Sequence, residues 1–487
     1  MIDQRDRLAV VRQQVKQSMT ARKISVFLFC LLLASPAWSN VFLRWTQSAV
    51  PPAKSLGVTE LVLPWNPDSL TFALTARKQG YHVYVQATAE QVPQLANAAS
   101  SSLAGVIVEI PASQQSQADD TLQKLRSSYP NLRFLLLDPN GKQPQMKGTM
   151  VVKRDGILEI TSPTAQPWID SNVPLVRFEQ GFRPTQVPLY TFQWELSDPL
   201  QQKEGPNAAD YSLAIAEAGA LHADLILNVP EELQKGLAAD DQAAWKLWKQ
   251  VQPDLAFAAQ ADQKTVPEGN VGVVTDNYDS AYEPMNLMAR HNIPFRVFPL
   301  TKLTAQNLHG LKMLLVFTTP GPQAIVEIAN FASAGGTAVL VGLKGFYPWH
   351  SAAATQVAEH TVKYSVGNGL ILELAEPVTD PETFAQDVRR LMSNRDLPMS
   401  LWNALTTIGL PYRNAASGTS VLELVNYSGD PLRVQLKLKG RFHSIRYKSP
   451  DRACCQSLTP AQRDGFTEFV IPSLRTSGRV HLVGPFK

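Results

Sequence analysis

The chain has 487 residues, 44% of them hydrophobic and 18% charged, and 45 basic against 42 acidic side chains leave a net charge of +3. This composition excludes a disordered protein, and the length suits roughly two to four domains. Outside residues 1–39 the charge falls to about −1, which excludes a nucleic-acid binder and a polybasic membrane-surface protein; three cysteines cannot build a disulfide-dense scaffold or a four-cysteine zinc site.

Arg22-Lys23 precede an apolar run from Ile24 to Ala34, followed by Ser35-Pro36 and Ala37-Trp38-Ser39. A basic flank, a short apolar stretch and small residues at −3 and −1 describe a secretory signal with cleavage after Ser39. The alternative is an uncleaved N-terminal anchor. No later stretch approaches ~18 continuous apolar residues, so the mature chain is expected to be exported, periplasmic or secreted, with no membrane span.

From Asn40 onward short apolar strands alternate with helical segments. The expected strands are 41–45, 60–65, 82–87, 105–110, 132–138, 173–178, 188–195 and 224–229. Most are near-continuous apolar runs, as in parallel strands covered on both faces. Helices are expected over 68–79, 89–99, 115–128 and 208–221, and a closing helix over 231–252. Eight β–α units predict a (β/α)8 (TIM) barrel over 40–262. Lys153-Arg154-Asp155-Gly156 predicts a hairpin inserted after the fifth strand.

A second unit begins near Pro267-Glu268-Gly269. Strands at 271–274, 295–298, 311–317 and 337–341, with helices at 281–291 and 323–334, predict a flavodoxin-like doubly wound α/β domain over 268–378. A connector with a helix at 380–393 spans 379–414. Beyond 415 short alternating segments at 420–426, 432–438, 444–448, 466–471 and 479–482 predict an antiparallel β-sandwich over 415–487.

This order of domains resembles that of three-domain β-galactosidases, whose middle domain has a class I glutamine-amidotransferase-like fold. The resemblance rests on Leu314 to Pro320, Ile328-Ala329-Asn330-Phe331 with Gly335-Gly336 to Val341, and the tail Leu422-Glu423-Leu424-Val425-Asn426-Tyr427. It implies a glycoside hydrolase-like protein with an oligo- or polysaccharide partner, no cofactor, and a homo-oligomer built through the middle domain. It also implies an acid/base at the end of strand four and a nucleophile at the end of strand seven. By the count of eight these are Glu109, in Val106-Ile107-Val108-Glu109-Ile110-Pro111, and Glu195, in Tyr190 to Glu195. Retaining glycosidases need such a pair about 5–5.5 Å apart, at C-terminal strand ends. The family's asparagine before the acid is replaced here by Val108, which leaves a non-catalytic glycan-binding or envelope-assembly protein as the alternative. For each glutamate the alternative is an ordinary strand-end residue, capping a loop or paired with an arginine.

Trp45, Trp65 and Trp194 follow strands one, two and seven, and indole faces suit stacking on pyranose C–H groups; packing between barrel and loops is the alternative for each. Asn66, Gln86 and Gln193 are candidates to bond hydroxyls, and Arg44, Asp138, Arg177 and Glu179 lie near the same expected strand ends. No metal site is expected from the scattered histidines, and neither a Gly-x-Ser-x-Gly elbow nor a phosphate-binding glycine loop occurs. Cys454-Cys455 are adjacent, either bridged or two thiols in a loop.

Overall fold

A computed structural model describes residues 41–484 apart from 100–101, 112–113, 115–116, 149–150, 155–156, 161–166, 197–198, 263, 415 and 453–454. The expected signal, the Asp155-Gly156 turn and Cys454 lie outside the described residues.

The first unit is a closed parallel barrel of seven strands: β1 (Val41–Arg44), β2 (Glu60–Pro64), β3 (His82–Thr88), β4 (Gly105–Glu109), β5 (Phe134–Asp138), β6 (Leu189–Thr191) and β7 (Asp224–Leu227). Helices surround it: α1 (Ser69–Lys78), α2 (Val92–Ala99), α3 (Ala118–Ser128), α4 (Val173–Phe182), α5 (Ala208–Leu221) and α6 (Gln242–Ala258). Side chains alternate between the two faces of each strand. Phe42, Val62, Tyr84, Ile107, Leu137, Leu189 and Ile226, one from each strand, fill the barrel interior. Their neighbours Leu43, Leu61, Val83, Val106 and Leu225 point outward into the helix layer.

The sixth expected strand, 173–178, is the start of α4. A short buried apolar run has no periodicity that separates strand from helix; Pro174 in the first turn has the φ and the dispensable N–H that favour helix initiation. β5 therefore pairs directly with β6, through Leu137↔Leu189 and Asp138↔Tyr190, and the wall closes with seven strands. Between them Gln145–Gly148 pairs with Trp168–Asp170, and Val151–Arg154 pairs with Ile157–Ile160 as the expected hairpin strands.

Local signals account for the helix ends. The Asn207 side chain accepts from Ala209 and Asp210 N–H to start α5 in a capping box, and His222 ends it in the left-handed region at φ 54°. The single helix expected over 231–252 breaks into Glu231–Ala238 and α6, because Asp240 takes φ 59° and Asp241 caps the Ala244 N–H.

The second unit is a seven-stranded sheet of β8 (Val271–Val274), β9 (Phe295–Phe298), β10 (Met313–Val316), β11 (Thr337–Val341), β12 (Ala354–Ala358), β13 (Thr361–Val366) and β14 (Gly369–Leu374). Its order is β9-β8-β10-β11-β14-β13-β12. The first five are parallel, and β13 and β12 extend the edge antiparallel. Helices α7 (Tyr278–Arg290), α8 (Pro322–Ser333) and α9 (Pro381–Leu391) accompany it.

Two antiparallel sheets follow. The six-stranded one contains Thr407–Asn414, Ser420–Asn426, Ser444–Lys448 and Ser477–Val483, with Thr265–Pro267 and Gln456–Leu458 at its edges; the four-stranded one contains Met399–Trp402, Leu432–Lys439, Ala461–Arg463 and Phe466–Leu474. Leu422, Leu424, Ile445 and Val480 from the first pack with Val434, Leu436, Phe469 and Ile471 from the second. The sheets thus recruit 399–414 and 265–267, which the sequence pattern had placed outside the sandwich. Ser420–Asn426 is buried on both faces: Val421 and Val425 point the other way, into the core shared with the barrel helices and α7. That second apolar face joins the three units.

Candidate active site

The C-terminal mouth of the barrel is built by strand parity. Two residues beyond inward Phe42, Tyr84 and Ile107 come Arg44, Gln86 and Glu109, which project over the interior core. They form a chain: Arg44 Nη2 donates to Gln86 Oε1, and Gln86 Nε2 donates to Glu109 Oε1. Gln86 is buried, whereas Glu109 is exposed to the mouth. Burial pulls the Arg44 guanidinium below its ordinary value, and the Glu109 charge opposes that shift.

Across the mouth the same parity, counted from Leu189 and Ile226, brings Thr191 and Asn228. Asn228 Nδ2 donates to the Phe192 carbonyl at 3.1 Å. Thr191 Oγ1, Asn228 Oδ1 and Arg44 Nε are buried without a hydrogen-bond partner among the described residues. Buried polar atoms are nearly always paired; unpartnered ones occur elsewhere among the described residues too, but here three lie at one end of the barrel, where a polar ligand or ordered water would complete them. The sequence pattern did not single out Thr191 and Asn228; the signal available was their period-two spacing from Leu189 and Ile226.

Glu195 lies in the loop after β6, with its side chain exposed. The loop backbone is pinned: Gln143 N–H donates to Gln193 O at 2.7 Å, Gln202 Nε2 to Trp194 O at 2.7 Å, and Gln145 Nε2 to Glu195 O at 3.2 Å. Gln193 Nε2 reaches back to Pro139 O at 3.3 Å. Because one strand is missing, β4 and the strand before Glu195 are separated by β5 alone. At about 4.8 Å per strand, that is roughly 10 Å along the wall.

The tryptophans do not form one rim. Trp45 is fully buried with its Nε1 donating to Ala49 O. Its parity is that of Leu43, outward, so it packs in the helix layer and offers no face to a ligand. Trp65, next to inward-facing Pro64, is half-buried against Val85, Val106 and their neighbours. Trp194 is half-buried, 6.4 Å from the Phe192 ring, and bonded through Nε1 to Gln202 O at 3.2 Å. Asn66 is exposed, and its Oδ1 accepts from the Ser69 N–H at the start of α1.

Three other residues were expected near strand ends. Asp138 is the last residue of β5 but points outward, opposite in parity to Leu137, and Arg177 and Glu179 are on α4 rather than on a strand. Glu179 is bonded to Arg183, at 2.5 Å, and its carboxyl is pushed up to about 7 by burial and by the Asp138 charge. Burial also raises the Asp138 carboxyl.

A separate buried polar network lies where the three units meet. Glu217 on α5 is wholly buried and accepts from Asn172 N–H at 3.0 Å, Asn172 Nδ2 at 2.6 Å and the Tyr427 hydroxyl at 2.7 Å. Burial raises its carboxyl to about 7. Asn172 Nδ2 also donates to Lys142 O at 2.9 Å, Lys142 Nζ bonds Asp170 and the Tyr282 hydroxyl, and Tyr282 donates to Asp170 at 2.6 Å. Among the described residues no group of three or more His, Cys, Asp or Glu could hold a metal ion, and no helix is long and apolar enough to cross a membrane.

No family model and no curated protein matches the chain. Solved structures do resemble it. An alpha-L-fucosidase isoenzyme 2 from Paenibacillus thiaminolyticus is 12% identical, covers 92% of this chain and 100% of its own, and superposes with a TM-score of 0.62. A beta-galactosidase from Rahnella sp. R3 is 10% identical over 86% of this chain and 94% of its own, TM-score 0.48. One from Bacillus circulans sp. alkalophilus is 10% identical over 92% and 99%, TM-score 0.46. At 12% identity the likeness to the fucosidase is one of fold alone, consistent with a helix-surrounded barrel carrying accessory sheets.

Proposed function

We propose that the chain is a glycoside hydrolase-like protein that engages a glycan at the C-terminal mouth of its barrel. The observation that carries this reading is the set of inward polar side chains there, Arg44–Gln86–Glu109 facing Thr191 and Asn228, with three buried polar atoms left for a ligand. Such a concave polar ring, at the end of a barrel where active sites form, matches the hydroxyl-rich surface of a sugar. The fold likeness to a fucosidase agrees with it without assigning the sugar.

In the catalytic form of the reading Glu109 is the acid/base and Glu195 the nucleophile of a retaining mechanism. Gln86 occupies one Glu109 oxygen and orients the carboxyl; the other oxygen then serves the glycosidic oxygen. The pinned loop holds the Glu195 carboxylate in place for attack on the anomeric carbon. Gln193, Asn66 and the half-buried faces of Trp65 and Trp194 supply further sugar contacts. In the second reading the protein binds glycan without cleaving it, in envelope or exopolysaccharide assembly; Val108 in place of the expected asparagine favours this form.

Three further parts of the reading accompany it. The middle unit is flavodoxin-like, supported by the order 2-1-3-4-5 of its parallel strands, and it is the surface through which copies of the chain associate. Residues 1–39 direct export, and the mature protein works in the periplasm or outside the cell. The proposed divisions are a barrel over 40–262, a middle unit over 268–378 and a sandwich over 415–487 to which 399–414, from the connector 379–414, add strands.

The test is turnover of aryl glycosides and envelope polysaccharides by the purified chain. Glu195→Gln abolishes turnover while sparing sugar binding. Glu109→Gln slows substrates with poor leaving groups more than those with activated ones. Wild-type activity in Glu195→Gln overturns the catalytic form. Sugar binding with no turnover selects the second reading.

A further inference from the structure

Away from the mouth, a cleft of about 610 Å³ opens between α4, the loop leading into β6, the edge strand β9 and the short edge strand Thr265–Pro267. Its lining includes Arg177, Arg296 and Lys302 and, among the described residues, no Asp or Glu. The volume is that of a small-molecule site. We propose that this cleft binds a small anionic ligand of monosaccharide size, carrying a carboxylate or a phosphate.

The cations are in surplus. Arg296 Nε is buried without a partner among the described residues, and the guanidinium makes one bond, from Nη2 to Asn307 O at 3.3 Å. Lys302 Nζ donates to the carbonyls of Gly181 and Phe182 at the end of α4, a favourable place for a cation, and an ammonium has a third hydrogen to give. Arg177 is 4% exposed; it is held by Gln180 Oε1 at 2.7 Å and lies 4.9 Å from the Tyr412 ring centre. The carboxylates whose charge reaches these groups each have another cation. Glu268, which supports Arg296, is bonded through Oε1 to Arg413 at 2.8 Å and keeps its Oε2 unpartnered among the described residues, and Asp119, which supports Lys302, is bonded to Arg183 at 2.7 Å.

Burial pulls both Arg296 and Lys302 below their ordinary values, so their charge is held there at a cost that a bound anion relieves. A guanidinium Nε and Nη pair fits the two oxygens of a carboxylate or phosphate. The remaining lining is suited to a sugar: the amides of Gln186 and Asn307 for hydroxyls, and the exposed side chain of Val266 for an apolar contact. The cleft is lined by different residues from the mouth, and the proposal holds whether or not the mouth engages a glycan.

Isothermal titration of the full chain with D-glucuronate, glucose 1-phosphate and D-glucose tests it. The expected result is saturable binding of one or both anions and none of glucose; the anion that binds identifies carboxylate or phosphate as the source. Arg296→Gln weakens that binding about tenfold or more, and so does Val266→Trp, which fills the cleft from an exposed position. Arg44→Met, at the mouth, leaves it unchanged. Thermal melts verify that the variants fold. Absence of anion binding, equal binding of glucose, binding unaffected by both cleft variants, or loss in Arg44→Met overturns the proposal.

Discussion

The barrel mouth and the junction around Glu217 are both built from buried polar side chains, and they differ in how their hydrogen bonds close. At the junction each carboxylate has its donors within the protein: Glu217 takes three, from Asn172 and Tyr427, and Asp170 takes Lys142 and Tyr282. At the mouth Arg44, Thr191 and Asn228 each keep an unpartnered buried atom. Satisfied carboxylates fix units against one another, even though the Tyr190 hydroxyl near Glu217 is unpartnered among the described residues; open groups at the mouth can take something from outside. Burial alone would have ranked Glu217 above Glu109 as a functional residue. Hydrogen-bond completeness reverses that order.

Substitutions at the two places should therefore move different measurements. The largest effect is expected in catalysis: with an active enzyme, Glu109→Gln lowers kcat/KM for poorly activated glycosides by about 10²–10⁴, while its denaturation midpoint stays near wild type because the side chain is exposed. Glu217→Leu does the opposite. It strands three buried donors, each worth about 1 kcal/mol or more, and lowers unfolding free energy by about 3 kcal/mol in a denaturant titration. If Glu217→Leu melted like wild type, the junction would not be the structural clamp described.

The pH dependence sharpens the same contrast. In the folded protein the Glu217 carboxyl titrates at about 7, against an ordinary value of 4.5. Between those values the folded state holds more protons than the unfolded one, so stability falls as pH rises through this window and levels off above it. Glu217→Gln, which carries no proton to lose, should flatten part of the fall in Tm between pH 5 and 7. Glu179, pushed up to about 7 as well, and Asp254, raised to about 6 by burial, contribute with the same sign and keep part of the slope. An unchanged slope in Glu217→Gln would contradict the assignment. The smallest expected effect is Trp194→Ala: loss of a stacking face worth about 0.5–1.5 kcal/mol weakens oligosaccharide affinity two- to tenfold by fluorescence titration.

The alternation of apolar strands with helices was legible because parallel strands covered on both faces are continuous apolar runs. β2, β3, β4 and β8 through β11 fall within two residues of the sequence pattern, and α5 coincides with it. The same property hid α4, since Val173 to Phe178, apolar but for Arg177, suits either conformation and only Pro174 separates the alternatives. The mouth was legible in part. Glu109 and Gln86 follow from strand ends, but Trp45 was misplaced because the parity of β1 depends on which of Phe42 and Leu43 faces inward. That choice is made by barrel closure, not by local sequence. Glu217 carried no local signal, as its partners Asn172 and Tyr427 come from distant parts of the chain.

The most direct test of the central claim is glycan binding by paired variants. Wild-type chain, Arg44→Met/Gln86→Leu at the mouth and Glu217→Gln at the junction are titrated with an oligosaccharide that wild type retains from envelope polysaccharide digests, at a temperature where all three are folded. The result expected is loss of binding in the mouth variant and wild-type affinity in Glu217→Gln. Wild-type affinity in the mouth variant, or loss only in Glu217→Gln, would contradict the claim that the open hydrogen-bonding groups of the barrel mouth receive the glycan.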